Sequence, residues 1–188
     1  MRIIGGCFRG TALAGVGKGD PAAHLRPTSD RVRESLFNVL QGGRLGDPVT
    51  GARVLDLFAG TGALGLEALS RGAAHATFVE NGRTALNLLR QNIAKTRTED
   101  ETVVLPRDAT RPGPNDGAAF DLVFLDPPYG KGLEEQALSA AAEAGWLAPG
   151  ALIVSENSTP GTALPGFDLL ETRRYGDTHI TFRRFPAD

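Results

Sequence analysis

The sequence is poor in cysteine, in histidine and in long apolar runs. It has one cysteine, Cys7, among 188 residues, which excludes an internal disulfide and suits a reducing compartment. No run of about 18 apolar residues could form a membrane-spanning helix. Arg9 interrupts the N-terminal segment before a signal-peptide core could form, so we expect a cytoplasmic protein. His24, His75 and His179 lack the spacing of metal ligands, and we expect no metal site.

An excess of one charge is also missing from the chain as a whole. The net charge of −2 argues against a protein that coats nucleic acid with an overall basic surface. Residues 1–44, however, contain seven Lys and Arg against three Asp and Glu, so this part is +4 and the remainder is −6. A basic N-terminal arm (residues 1–44) on an acidic body indicates either a local anionic partner or ordinary surface charge.

Apolar strand-like segments alternate with helical periodicity from about residue 52 onward. Strands are predicted over 54–58, 76–80, 102–105, 121–125 and 151–155, and helices over 63–71, 82–95 and 133–144. Near-continuous apolar strands separated by helices are typical of a parallel sheet covered on both faces. Segments 167–174 and 179–185 are joined by residues 175–178, YGDT, a typical hairpin turn. The sequence therefore predicts a doubly wound α/β fold with a mostly parallel seven-stranded sheet and an antiparallel C-terminal hairpin.

The N-terminal arm is predicted to form a small extension ahead of this sheet. A two-stranded unit is expected over 2–13, around Gly5 and Gly6. A helix follows, which Thr28 or Ser29 would cap. We expect residues 1–44 to form this arm and helix and residues 45–188 to form one compact unit.

Residues 55–65, LDLFAGTGALG, contain the pattern G-x-G-x-x-G at Gly60, Gly62 and Gly65. The pattern follows the first predicted strand and opens the first helix, where nucleotide ligands lie in parallel α/β sheets. It reports backbone geometry and not ligand chemistry, so the loop alone admits NAD or another nucleoside.

Three acids near this loop bear on the identity of the ligand. Glu80 ends the second strand, where a carboxylate can accept both hydroxyls of an adenosine ribose. Asp56 would repel the pyrophosphate that a helix N-terminus attracts, and it suits a ligand with an ammonium and a sulfonium, such as S-adenosylmethionine. Asp108 is placed either to accept a hydrogen bond from an adenine amino group or to form a turn. The acids favour S-adenosylmethionine over NAD.

The tetrapeptide D-P-P-Y, residues 126–129, directly follows the strand 121–125. Two prolines end a strand because they cannot donate to the sheet ladder. Asp126 is thereby left at the carboxyl end of the strand, facing the same crevice as the glycine loop. The amino group of a nucleobase is a poor nucleophile because its lone pair is delocalised. Asp126 and the Pro127 carbonyl can each accept one N–H and localise that lone pair, while Tyr129 offers a stacking face.

These motifs resemble class I S-adenosylmethionine-dependent methyltransferases that act on bases. Almost the whole chain resembles the RsmD family, bacterial methyltransferases for a guanine N2 of 16S ribosomal RNA. The resemblance rests on residues 26–38, RPTSDRVRESLFN, on residues 55–73, LDLFAGTGALGLEALSRGA, on D-P-P-Y and on YGDT. It implies 16S ribosomal RNA or the small ribosomal subunit as partner and S-adenosylmethionine as methyl donor.

The resemblance also implies roles for individual residues. The expected donor contacts are Asp56, Phe58, Gly60, Gly62, Glu80, Asn81, Asp108 and Ala109. The expected catalytic residues at the target base are Asp126, Pro127, Pro128 and Tyr129. With the charge of the arm, we expect RNA contacts from Arg9, Arg26, Arg31, Arg33 and Lys131.

Four other functions stay open at this point. A DNA adenine-N6 methyltransferase would use the same chemistry, although such enzymes usually add a recognition domain. A glutamine-N5 protein methyltransferase typically has asparagine where this chain has Asp126. An NAD-dependent oxidoreductase would use the same glycines but would leave Asp56 and D-P-P-Y without roles. A non-catalytic RNA-binding module would require the intact site to be vestigial.

Overall fold

The computed structural model describes residues 1–15, 28–128 and 132–187. The strands are β1 (Arg53–Leu57), β2 (His75–Val79), β3 (Thr102–Leu105), β4 (Phe120–Leu125), β5 (Leu147–Asn157), β6 (Asp168–Tyr175) and β7 (Thr178–Arg184). The helices are α1 (Asp30–Leu40), α2 (Ala63–Ser70), α3 (Arg83–Thr96) and α4 (Leu133–Glu143), and a short 3-10 helix spans Glu99–Glu101.

The strands form one seven-stranded sheet in the order β3-β2-β1-β4-β5-β7-β6. Strands β1 to β5 run parallel, whereas β7 pairs antiparallel with both β5 and β6. The predicted doubly wound fold with a C-terminal hairpin is confirmed. The strand order reverses between β1 and β4, so their carboxyl ends border the crevice in which such sheets bind ligands.

Each face of the sheet is covered by its own hydrophobic cluster. Successive strand residues point to opposite faces, and on β1 Val54 belongs to the first cluster while Leu55 belongs to the second. Helices α1, α2 and α3 contribute to the first cluster, and α4 with Trp146 contributes to the second. Ile3 of the N-terminal arm also lies in the first cluster. Residues on both sides of position 44 therefore share one core.

The N-terminal segment pairs with itself less regularly than a hairpin would. Arg2 and Ala12 form a single antiparallel bridge instead of two strands. The backbone N–H of Cys7 donates to the carbonyl of Ser70 on α2 at 2.8 Å. The backbone between the two bridge residues is thus hydrogen-bonded to α2.

Helix α1 begins where the sequence places its cap. The Ser29 side chain accepts a hydrogen bond from the backbone N–H of Val32 at 3.3 Å, so Ser29 and not Thr28 is the N-cap residue. This bond satisfies one of the free N–H groups of the first turn.

Strand β5 differs most from its predicted bounds, because it begins at Leu147 and not at residue 151. Its pairing with β4 changes register, since Phe120 pairs with Leu147 but Leu122 pairs with Leu152. The extra β5 residues at this irregularity include Pro149 and Gly150, which interrupt the apolar pattern on which the prediction depended.

Candidate active site

The glycine loop, residues 58–62, joins β1 to α2 and depends on glycine for its geometry. Gly60 and Gly62 have φ of 56° and 79°, a left-handed conformation that side chains disfavour. A Cβ on Gly62 would lie 2.3 Å from a Leu89 methyl carbon. Phe58 also has a positive φ, 59°, which is uncommon for a bulky residue and indicates a constrained loop entry.

Gly65 permits the close approach of α2 to the sheet. A Cβ at this position would lie 2.4 Å from the Phe78 ring. The backbone N–H of Gly65 also donates to Asp56 Oδ2 at 3.0 Å. The third glycine of the pattern therefore lets α2 pack closely against the sheet.

Asp56 lies beneath the loop with 2% of its surface exposed. Burial raises the pKa of Asp56 to about 8, the hydrogen bond from Gly65 lowers it, and the nearby charge of Glu80 raises it further. The carboxyl therefore keeps its proton to a higher pH than an exposed aspartate does, and a cationic ligand would favour its ionised form.

Glu80, directly after β2, accepts a hydrogen bond from the glycine loop. Its Oε2 accepts from the backbone N–H of Gly60 at 2.8 Å, and its Oε1 accepts from Asn81 and Gly82 at 2.9 and 2.7 Å. A carboxylate offers about four acceptor positions, and the described residues occupy three of them. Binding both hydroxyls of a ribose would require one backbone bond to be released, a constraint that the sequence did not reveal.

Asp108 forms a turn after β3. Its Oδ1 accepts from the backbone N–H and the hydroxyl of Thr110 at 2.9 and 2.8 Å. The backbone hydrogen bond is the main cause that lowers the pKa of Asp108 below its usual value. Asp108 is exposed and Ala109 is buried. The turn accounts for Asp108 without a ligand, and its contact with adenine stays a prediction.

Asp126 lies at the carboxyl end of β4, between the ends of β1 and β5. Its backbone N–H donates to the carbonyl of Leu57 at 3.5 Å, so the glycine loop and D-P-P-Y begin on adjacent strands. Burial raises the pKa of Asp126 well above its usual value, and the negative charges of Glu156 and Asp56 raise it further. Pro127 is buried and Pro128 is exposed.

Three of the predicted site residues cannot be placed. Tyr129 and Lys131 lie outside the described residues, as does Arg26.

Glu156 is a residue of this region that sequence reasoning missed. It is buried near the end of β5, and its Oε2 accepts a hydrogen bond from the hydroxyl of Thr28 at 2.5 Å. This bond joins the segment before α1 to the strand beside Asp126. An acid just after the predicted strand 151–155 was a usable signal, because parallel strands place their carboxyl ends at the ligand crevice.

The structure corrects the prediction for Arg33. Its guanidinium is fully buried, and it forms ion pairs with Asp30 at 3.0 Å and with Glu67 at 3.5 Å. It also donates to the carbonyl of Arg2. The predicted RNA contact is wrong for Arg33, because its donors point into the protein. Arg9 and Arg31 are exposed, and their RNA contacts stay predictions.

Glu67 on α2 holds the N-terminal arm and was not singled out from the sequence. This fully buried carboxylate accepts from the backbone N–H groups of Ile4 and Gly5 at 2.8 and 2.9 Å. It also pairs with Arg71 at 2.7 Å, in addition to Arg33. An acid inside the otherwise apolar run LGLEALS was the available signal.

Asn92 on α3 links the arm to the glycine loop. The side chain is fully buried. Its Oδ1 accepts from the Ala14 N–H at 2.6 Å, and its Nδ2 donates to the carbonyls of Ala14 and Thr61 at 3.0 and 2.9 Å. Thr61 lies between Gly60 and Gly62, so one amide contacts both the loop and the arm.

A pocket of about 230 Å³ opens beside Pro127 and Pro128, at the ends of β4 and β5. We call it the β5 pocket, and it is lined by Pro127, Pro128, Gly132, Leu133, Glu134, Asn157, Thr159, Pro160, Gly161 and Thr162. In its wall the Glu134 carboxylate pairs with Arg183 through Oε1 and accepts from Asn157 Nδ2 at 2.8 Å through Oε2. The polar side chains of Glu134 and Asn157 therefore line the same pocket as Pro127, in the predicted target-base site.

Within the described parts of the chain, no helix has the length and apolar composition of a membrane span. In the same ranges, no group of three or more His, Cys, Asp and Glu residues could hold a metal ion.

Comparison with known proteins gives consistent matches over almost the whole chain. The family described as Conserved hypothetical protein 95 matches residues 1–184. Ribosomal RNA small subunit methyltransferase D of Escherichia coli is 42% identical over 157 residues, which is 84% of this chain and 74% of that protein. A solved structure described as a putative methyltransferase, yhhF, from Escherichia coli has a TM-score of 0.81 at 37% identity, covering 100% of this chain and 99% of the other.

A more distant structure shares the fold. An RNA methyltransferase from Salinibacter ruber, in complex with S-adenosyl-L-homocysteine, has a TM-score of 0.66 at 16% identity. The match covers 86% of this chain and 95% of that one.

Proposed function

The chain belongs to the RsmD family of methyltransferases, and we propose that it transfers a methyl group from S-adenosylmethionine to the N2 amino group of a guanine in 16S ribosomal RNA. One observation supports this proposal most directly. Leu57 at the end of β1 pairs with Leu125 at the end of β4. A nucleoside held at the glycine loop and a base held at Asp126 would therefore meet in one crevice.

The donor side of the crevice has the chemistry for a cationic nucleoside. Bound S-adenosylmethionine would supply a methyl group on a positively charged sulfur. The positive φ of Gly60 and Gly62 would allow the loop backbone to approach such a ligand closely. Asp56 beneath the loop would ionise as the ligand's positive charge approaches, and Glu80 would exchange a backbone N–H for a ribose hydroxyl.

The acceptor side would orient the amino group. The target guanine must leave the base stack to present N2. Asp126 and the Pro127 carbonyl then accept its two N–H bonds, so the nitrogen lone pair points toward the donor. Bound S-adenosylmethionine would supply the methyl group to N2 with cleavage of its carbon–sulfur bond, and N2 would release one proton. The raised pKa of Asp126 suits it to accept that proton when it is ionised.

The RNA would contact the exposed cations of the arm. Arg9 and Arg31 are exposed on the N-terminal arm, whose net charge is +4. The bond between Thr28 and Glu156 places the start of α1 next to the acceptor side. Phosphate contacts there would position the RNA, and the pocket beside Asp126 would select the base.

The test is a labelled-methyl assay on 16S ribosomal RNA that lacks its modifications, followed by digestion to nucleosides. We expect N2-methylguanosine as the product. Asp126→Asn should reduce kcat by about 100-fold or more, the usual range for a proton-accepting group, with donor binding nearly unchanged. Asp116→Asn is the control, because Asp116 is exposed and outside the site. Formation of N6-methyladenosine, or an unimpaired Asp126→Asn enzyme, would refute the proposal.

A further inference from the structure

We propose that the β5 pocket binds the base edge of the target guanine, with the Glu134 carboxylate accepting the hydrogen bond of guanine N1–H. This inference rests on the proposed function. It adds a specificity residue that lies outside D-P-P-Y.

The position of Glu134 follows from the geometry of guanine. The N1–H and N2 amino groups are neighbours on the same base edge. If Asp126 and the Pro127 carbonyl hold N2, the acceptor of N1–H must lie in the adjoining space. Pro127, Pro128 and Glu134 line one pocket there. Asn157, opposite α4 at the end of β5, lines the same pocket.

The Glu134 carboxylate is held in one place and keeps acceptor capacity. Arg183 bonds one oxygen, and Asn157 Nδ2 bonds the other at 2.8 Å. A carboxylate can accept about four hydrogen bonds, and the described residues occupy two of these positions on Glu134. The side chain is 16% exposed, which leaves it accessible from the pocket.

Arg183 fixes this arrangement from behind. The guanidinium is almost fully buried, and it donates to Ser155 Oγ and to the Thr162 carbonyl, both at 2.9 Å. Its positive charge attracts the Glu134 carboxylate and helps to hold it in the wall of the pocket. The pair is therefore preorganised before the base arrives, which reduces the ordering cost of binding.

This chemistry distinguishes guanine from other purines. Guanine N1 bears a hydrogen, whereas adenine N1 is a lone pair that would face the Glu134 oxygens. Two acceptors that face each other without a shared hydrogen are left unpaired, and a site built for a donor rejects such a base strongly. Selection for guanine thus comes from the wall of the pocket, while Asp126 serves the amino group.

The experiment compares RNA fragments with guanine or 2-aminopurine at the target position. Both bases have the N2 amino group, but 2-aminopurine has an unprotonated N1. The wild-type enzyme should methylate 2-aminopurine at least about tenfold less efficiently, in kcat/KM, than guanine. In Glu134→Gln the amide can donate to the unprotonated N1, so the guanine-to-2-aminopurine ratio should fall by about tenfold or more.

Glu135→Gln is the matched control, since Glu135 is the exposed neighbour of Glu134 on α4. Its ratio should equal that of the wild type. A structural role for Glu134 would lower both rates together and leave the ratio unchanged, which would overturn the inference. Equal use of the two bases by the wild type would overturn it as well, even if Glu134→Gln failed to fold. Methylation of guanine in neither fragment nor full-length 16S RNA would instead reject the proposed function.

Discussion

Replacing Glu67 by Gln tests a buried carboxylate that has four polar partners among the described residues. Glu67 accepts two backbone N–H groups of the arm and pairs with Arg33 and Arg71. The side chains of Glu67 and Arg33 are both fully buried. Gln keeps the shape of Glu but loses its charge. Its NH2 group is itself a donor, and it would face N–H donors that now bond to the carboxylate.

The expected loss of stability is large. Removing one partner of a buried ion pair costs about 3–5 kcal/mol because the other charge stays buried. Arg33 would retain Asp30, whose side chain is 40% exposed, so we expect the lower part of that range. A domain of this size loses roughly 2–4 °C of Tm per kcal/mol, which gives a decrease of about 6–12 °C for a loss of about 3 kcal/mol.

The assay is urea and thermal unfolding of Glu67→Gln beside Glu34→Gln, whose exposed carboxylate lies on α1. Hydrogen exchange at the Ile4 and Gly5 amides reports on the arm itself, and these amides should lose protection in Glu67→Gln alone. If the two variants unfold within about 2 °C of each other, a difference of less than about 1 kcal/mol, the cluster contributes no net stability and the reasoning is refuted.

Two further predictions concern pH and salt. Burial raises the pKa of Asp56 to about 8, so folding favours the neutral carboxyl. The stability that this gives is fully present below about pH 4, and the free energy of unfolding falls by about 1.4 kcal/mol per pH unit as the pH rises from there to about 8. In urea unfolding without ligand, the free energy of unfolding of Asp56→Asn should therefore rise relative to that of the wild type between pH 5 and pH 8. A difference in unfolding free energy that stays constant over this range would contradict the raised pKa. For RNA binding, Arg31→Ala should lower the slope of log affinity against log salt by about one unit. Arg174→Ala, an exposed change on the C-terminal hairpin, should not, and equal slopes in both variants would remove Arg31 from the RNA contacts.

The sheet and the glycine loop were predictable because their signals are local. Strands such as β1 and β4 are buried on both faces, so their apolar runs are nearly continuous. The glycines of the loop require positive φ or close contact, and both constraints act within a few residues. The position of Asp126 also follows from the two prolines after it.

The charged clusters were not predictable in the same way. Arg31 and Arg33 are the same residue type two positions apart, yet one is exposed and the other is buried. What separates them is Glu67, more than 30 positions further along the chain, which approaches α1 only when the fold has formed. Glu134 and Arg183 are likewise joined across 49 positions. The polar partners of a buried ion come from distant segments, and no local pattern contains that information.

Asn92 has a consequence for how a ligand at the glycine loop and a ligand at the arm would affect each other. The amide holds Ala14 of the arm and Thr61 of the glycine loop together. A ligand that moves Thr61 must move Ala14 too or break a buried hydrogen bond, which costs about 1–3 kcal/mol. Coupling of that size changes affinity about 5- to 150-fold and acts equally in both directions. A ligand at the loop that moved Thr61 and a ligand at the arm that moved Ala14 would therefore change each other's affinity by the same factor.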